Sequence, residues 1–227
     1  MAPFFPCAPL LRIVTRAVHR AAPRAQLVAT DINPTMLDFA TDALCSQHVS
    51  FQPANAQNLP FAGASFDLVI CQFGVMFFPD KIRANQEARR VLRPNGRYLL
   101  VAFNRLELNP IPKAAVDAVN TLFPHDPFDY MERGPFCYTD PARIEQDLLS
   151  GGFTDVEIET INLLSRVNSS EAAQGFVFGS PFRSEIERRD PSALDRAGEA
   201  IAQALVQWEG KDAPTSAHLV TARTVAL

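Results

Sequence analysis

Apolar and polar positions follow two rhythms along the first hundred residues. Ile13, Val14, Ala17, Val18 and Ala21 recur at helical spacing and predict an amphipathic helix over residues 12–22. Residues 26–31 are nearly all apolar until Asp31, the signature of a short parallel strand buried on both faces. Met36, Leu37, Ala40 and Leu44 mark one face of a second helix. Val49-Ser50-Phe51 reads as a short strand, and residues 66–73 as a second buried run. A helix opens at Asp80, with Ile82, Ala88, Val91 and Leu92 as its apolar positions, and Pro94-Asn95-Gly96 ends it in a turn. Residues 98–103 form a third buried strand. Strands alternating with helices predict an α/β fold, a Rossmann-like, mostly parallel sheet with helices on both faces.

Beyond Asn104 the rhythm changes. Residues 105–140 are rich in proline and aromatics, including Phe123, Phe128, Tyr130, Phe136 and Tyr138. A helix over residues 141–150 stops at Gly151-Gly152. Val156, Ile158 and Ile161 then alternate with acidic or polar neighbours, as in a strand near a sheet edge. Residues 170–208 read as helical, with Gly198 a weak point, and residues 218–225 as a closing strand, so antiparallel edge strands are expected at the carboxyl end. The whole of 1–227 is expected to be a single domain in which 105–140 and 165–212 are insertions or a cap over the acceptor site.

Composition narrows the function. The hydrophobic content of 47% is ample for a core, and the net charge of -4 gives no basic footprint for nucleic acid. The four cysteines are far apart, with no metal spacing, which fits reduced thiols in a cytoplasmic protein. No run approaches the roughly 18 apolar residues of a spanning helix. Arg12, Arg16, Arg20 and Arg24 precede the first acidic residue; without serine before Ser46 they read as an exposed helical stripe rather than a transit peptide.

The most informative residue is Asp31. A carboxylate at the carboxyl end of a buried parallel strand stands where open α/β sheets bind ligands, and it can grip the two hydroxyls of a ribose. A plain helix-capping aspartate is the competing reading, since Asn33 and Pro34 already suit a helix start.

Four pieces of sequence, in this order, resemble the class I S-adenosylmethionine-dependent methyltransferases, and among them the type 11 group that includes the ubiquinone and menaquinone biosynthesis enzymes. They are Ala29-Thr30-Asp31, Asn55-Ala56-Gln57-Asn58-Leu59-Pro60-Phe61, Ser65-Phe66-Asp67-Leu68-Val69, and Val91-Leu92-Arg93-Pro94-Asn95-Gly96-Arg97. The resemblance implies S-adenosyl-L-methionine as cofactor, with Asp31, Ile32, Asn55, Ala56 and Gln72 at its site. Asp31 would take the ribose. Asn55 stands where the family usually has an acid that accepts from the adenine amino group, and Ala56 where a backbone N–H meets the ring. Gln72 would face the methionine end and the acceptor. Leu59-Pro60-Phe61, Phe66 and Met76-Phe77-Phe78 read as packing, and Asp67 as structural. The chemistry implied is methyl transfer to a small, apolar molecule, for which the protein chiefly aligns two reactants and excludes water. His125 and Asp126 are the candidates for a base where one is needed; no catalytic residue and no metal site is assigned.

The family's first strand and glycine-rich turn should lie just before residue 13. Residues 4–12 instead hold two prolines and no glycine, with Leu10, Leu11 and Arg12 where small residues are expected. The amino-terminal strand is therefore expected to be missing or irregular, although residues 4–11 could take its slot. Impaired activity, a truncated fragment, and an inactive binding or regulatory protein all stay open. A nicotinamide-dependent oxidoreductase is the runner-up enzyme class.

Overall fold

The computed structural model describes residues 8–41 and 46–224. In chain order the elements are α1 (Ala8–Ala21), β1 (Leu27–Asp31), α2 (Pro34–Thr41), β2 (Val49–Pro53), β3 (Phe66–Gln72), α3 (Lys81–Val91), β4 (Leu92–Phe103), α4 (Pro110–Asn120), α5 (Tyr130–Arg133), α6 (Pro141–Ser150), β5 (Thr154–Ser165), α7 (Ser169–Gly179), α8 (Phe182–Arg189), α9 (Leu194–Leu205) and β6 (Ala213–Arg223). The expected α/β architecture is present, but its strands form two sheets. One holds β1 and β2, parallel and in register from Leu27 opposite Val49 to Asp31 opposite Pro53. The other has the order β3-β4-β6-β5, with β3 and β4 parallel. The strand β6 runs antiparallel to β4: Thr224 N donates to Gly96 O at one end, and Asn104 N donates to Ser216 O at the other. Among the described residues no strand pairs with the outer edge of β1 or β3.

That open edge corrects two expectations. Only Ala29 of β1 is buried, and Leu68 on β3 is 40% exposed. Apolar runs predict double coverage only when a neighbour lies on each side. The amino-terminal helix also differs from expectation. It begins at Ala8, so residues 8–11 are helical and do not supply a strand; residues 1–7 lie outside the described part. Proline at the second helical position is compatible because first-turn N–H groups have no partner within the helix. Its buried face is also not the expected one: Ile13 is 54% exposed, whereas Thr15 is buried, with its hydroxyl donating to Leu11 O at 2.7 Å.

The turn expected at Pro94-Asn95-Gly96 lies inside β4. Pairing jumps from Phe66 opposite Leu92 to Leu68 opposite Arg97, so residues 93–96 bulge from the strand. Asn95 takes a φ of 63°, tolerable for asparagine. A Cβ at Gly96 would fall 2.8 Å from Arg93 O, so only glycine fits. Thr224 ties the bulge down by donating its hydroxyl to Arg93 O at 2.7 Å.

By contact the chain divides into two compact units. Of the described residues, an α/β unit comprises those in 8–102, 141–159 and 219–224; a helical unit comprises 103–140 and 160–218. In the α/β unit, α1 packs on α2, β1 and β3, and α3 packs on α6. The helical unit has its own core, built from α4, α7, α8 and α9 around Val116, Val119, Phe128, Val177, Phe182 and Ile201. The expected weak point, Gly198, lies within α9 without interrupting it; a Cβ there would stand at ordinary contact distance, 4.0 Å, from Val177 Cγ2.

Candidate functional site

The carboxyl end of β1 turns at once into α2, and the side chains of the turn hold it. Asp31 Oδ1 accepts from Asn33 N at 2.9 Å, and Asn33 Oδ1 accepts from Thr35 N at 3.0 Å. Asp31 is half-buried, and loss of water raises its carboxyl above the ordinary 3.8, partly offset by the backbone N–H groups of Asn33 and Ile32. Thus the carboxylate is under-solvated, and a donor arriving from a ligand would stabilise its charged form. Beside it the Ile32 side chain is 71% exposed, a large apolar group open at the rim of the strands.

Asp31 O also accepts from Ala54 N at 3.0 Å, which brings the loop after β2 alongside. Asn55 is exposed, and its Oδ1 already accepts from Gln57 N at 2.9 Å. A second lone pair remains on that oxygen, so acceptance from an adenine amino group would have to share it. Ala56, next in the turn, is half-buried.

The loop beyond is clamped to α3. Glu87, buried on that helix, accepts from Leu59 N at 2.8 Å and from Arg90 Nε at 2.8 Å; Arg90 in turn donates to Phe61 O at 2.7 Å and to Leu59 O at 3.0 Å. Hydrogen bonding from Arg90 holds the Glu87 carboxyl below its ordinary 4.5. Phe61 meets Phe66 edge to face with centroids 4.9 Å apart. Leu59-Pro60-Phe61 is thus a packed strap, as expected. The clamp itself was missed in the sequence, where Glu87 and Arg90, three apart on one helix, were the available signal.

Gln72 ends β3, and its Oε1 is shut away from solvent without a hydrogen-bond partner. The next residue, Phe73, takes a φ of 52°, a strained conformation for a bulky side chain, held by Phe73 N donating to Val101 O at 2.9 Å. Burial pushes the neighbouring Cys71 thiol up to about 11, which rules out a ready nucleophile at neutral pH. Asp67, at the other end of β3, pairs with Arg93 at 2.8 Å and is structural.

His125 and Asp126 belong to the helical unit, in an open cavity of about 400 Å³ also lined by Leu122, Phe123, Pro124, Arg188 and Arg189. Asp126 is held there by Arg189, whose side chain is only 4% exposed and which also donates to Asp126 O, Pro127 O and Glu185 O. The pairing ties the loop of Asp126 to α8. His218 is buried. Its Nε2 donates to Thr139 O at 3.1 Å, which leaves Nδ1 to accept from the Thr160 hydroxyl at 3.1 Å. Among the described residues no cluster of histidine, cysteine and acidic side chains could hold a metal ion.

The site therefore fits one part of a sulfonium nucleoside well. Asp31 and Ile32 offer a diol acceptor and an apolar surface.

Residues 12–100 match a family described as a methyltransferase domain. That stretch is similar to the class I, S-adenosylmethionine-dependent methyltransferases, and within that class to the type 11 group. S-adenosyl-L-methionine is the cofactor of this class. The ubiquinone/menaquinone biosynthesis C-methyltransferase UbiE of Hahella chejuensis is 39% identical over 42% of this chain and 39% of its own length. The chain spans from about a third to under two thirds of the length of the curated relatives it matches. Among solved structures, the YcgJ protein from Bacillus subtilis shares the fold, with a TM-score of 0.56, 18% identity, and coverage of 95% of this chain and 89% of that one. A Haemonchus contortus phosphoethanolamine N-methyltransferase, solved with phosphomonomethylethanolamine and S-adenosylhomocysteine, has a TM-score of 0.54 at 16% identity, over 92% of this chain and 46% of that one.

Proposed function

We propose that this chain binds S-adenosyl-L-methionine at the carboxyl ends of β1 and β2 and transfers its methyl group, at a low rate, to a small apolar molecule. The observation that carries the reading is Asp31: a half-buried carboxylate, raised by desolvation, at the end of a parallel strand inside the stretch that matches a methyltransferase domain. Two ribose hydroxyls donating to it would restore the hydrogen bonds that burial removed. Ile32 would lie against the adenine ring, Asn55 would share its amide oxygen with the ring's amino group, and the Ala56 backbone would edge the ring. Gln72 would offer its orphaned oxygen to a donor on the bound reactants.

The cofactor supplies the electrophilic methyl group when bound. The chain's own part is to bind, align and keep water away. No described side chain is assigned as a base, which suits acceptors that are nucleophilic without one. The aromatic residues of 105–140 motivate the apolar acceptor. Nucleic acid is not expected as substrate, given the net charge of -4. The relatives named for quinone biosynthesis support a small cyclic acceptor of that kind.

A binding or regulatory protein without turnover is the second reading. It is supported by Asn55, a neutral amide where the family usually has an acid. Calorimetric titration with S-adenosyl-L-methionine, on wild type and Asp31→Ala, tests the site. Saturable binding that weakens at least tenfold in the variant is expected; equal binding by both overturns the assignment of Asp31. Release of S-adenosylhomocysteine in the presence of a demethylmenaquinone analogue then separates the enzyme from the binding protein.

A further inference from the structure

The face that α1 turns outward is not the one its polar positions select. Leu11, Val14, Thr15 and Val18, at i, i+3, i+4 and i+7, are buried or partly buried where α1 packs on α2, β1 and β3. Ile13, Arg16, Ala17 and Arg20 repeat that spacing on the outward face, and all four are exposed. Arg24, also exposed, extends the row into the turn after the helix. One exposed isoleucine is ordinary by itself. Ile13, however, is 54% exposed in the middle of a cationic row.

Charge sets the row apart from the rest of the chain. Residues 1–30 hold four arginines and no acid, whereas residues 31–227 hold 17 Lys and Arg against 25 Asp and Glu. A local cationic face on an acidic chain suits a flat anionic surface, which only that face need approach. It suits a nucleic acid poorly, because a long polyanion would also meet the acidic remainder. Arginine stems are long and apolar, so their guanidinium groups can reach lipid phosphates while Ile13 and Ala17 sink between them. Among the described residues no helix is long and apolar enough to cross a membrane, and α1, at 14 residues, would lie along the surface.

We propose that the outward face of α1 docks the α/β unit on anionic lipid headgroups. Ile13, Arg16, Ala17, Arg20 and Arg24 form the contact. Each arginine near an anionic membrane strengthens partitioning about fivefold, and the isoleucine adds a shallow anchor. Such binding is reversible and is screened by salt. An apolar acceptor of the kind proposed above would partition into the same bilayer. The surface shares no residue with the nucleoside site, so either can fail without the other.

Flotation of the full chain with lipid vesicles tests this without any substitution, so folding of a variant does not enter. Binding is expected to vesicles of equal phosphatidylcholine and phosphatidylglycerol, with little to phosphatidylcholine alone. Raising the salt from about 0.05 M to about 0.5 M should weaken it by about tenfold or more. Equal binding to both vesicle types, or none to the mixed vesicles by chain that shows a cooperative melting transition, overturns the proposal. Tighter binding to a short single-stranded oligonucleotide than to the mixed vesicles also overturns it and makes the row a nucleic-acid surface. The double substitution Arg20→Gln/Arg24→Gln, at two exposed positions, should weaken vesicle binding roughly 25-fold. Ile13→Ser, which leaves the charge unchanged, should weaken it by a smaller factor. Unchanged binding by the arginine variant assigns the attraction to another face and overturns the proposal.

Discussion

The two units solve the same problem of burial to different degrees. In the helical unit, Phe128, Phe182, Ile186, Ile201 and Leu205 are fully enclosed, and Phe182 meets Phe128 edge to face at 4.4 Å. Its buried polar groups are partnered. Asn104 donates to Ser216 Oγ at 3.0 Å, Asn109 donates to Ser216 O at 3.2 Å, and Ser216 N returns a bond to Asn109 Oδ1 at 3.0 Å. The α/β unit holds the candidate site but leaves Leu27, Val28, Thr30 and Leu68 partly open. It also carries orphaned polar atoms at Gln72, Asn85 and Arg89. Full satisfaction belongs to the helical unit, and incomplete satisfaction to the unit proposed to bind. A ligand can gain only where the protein has not already completed its own contacts.

Mutation should expose this difference. The largest effect is expected for Phe182→Ala, a cavity in a closed core, at about 4 kcal/mol. The single tryptophan, Trp208, packs against that core, so urea unfolding followed by its fluorescence reads the helical unit. A loss under about 1 kcal/mol would show that this core is looser than described.

Next comes Glu87→Gln, expected to cost about 2 kcal/mol, because it weakens a charge-assisted clamp on residues 59–61. The Glu87 carboxyl lies below its ordinary 4.5 in the folded state. Its stabilisation is therefore complete above that value and fades as pH falls through the lower, folded-state value. Wild type and variant should converge in acid-unfolding curves; a constant gap would contradict the clamp.

Asp31→Asn keeps the local turn and removes the charge. Nucleoside affinity should fall at least tenfold while the melting temperature holds or rises slightly. Here the sign is opposite to Glu87. A carboxyl raised above its unfolded value favours the folded state when protonated, and that contribution disappears as pH rises through the raised value. Nucleoside binding needs the ionised form, so calorimetry across pH should show affinity weakening on acidification from above the ordinary carboxylate range. Leu68→Ala is expected to be the smallest perturbation, under about 1 kcal/mol, since 40% of Leu68 is already in water. A cost typical of a buried leucine would mean that the outer edge of β3 is covered.

Much of the fold was legible in sequence because period and composition agreed. Residues 98–103 form the strand expected, with alternate residues buried, residues 141–150 form the helix expected, and Asp31 and Gln72 stand at the carboxyl ends of their strands. What failed depended on neighbours. Apolar content suggested two covered faces for β1 and β3, but coverage is a property of the sheet rather than of the strand. The face of α1 was read from Ile13, Val14, Ala17, Val18 and Ala21, yet a hydroxyl bonded to its own helix, that of Thr15, can turn inward. Pro94-Asn95-Gly96 carries the same local signal whether a strand turns or bulges, and only pairing with β3 and β6 decides. At the site, the carboxylate of Asp31 could be read from position. The orphaned oxygen of Gln72 could not, because solvent exclusion arises from packing.

The Glu87–Arg90 clamp has a kinetic corollary. The Leu59 amide hydrogen ends on a side chain of α3, so it can meet solvent only when that attachment lets go. Its exchange with deuterium should therefore keep the slow clock of the α3 amides, although it sits in a loop with no secondary structure of its own. A bound nucleoside touching Asn55 would be felt through the same fastening, as a further slowing along the helix.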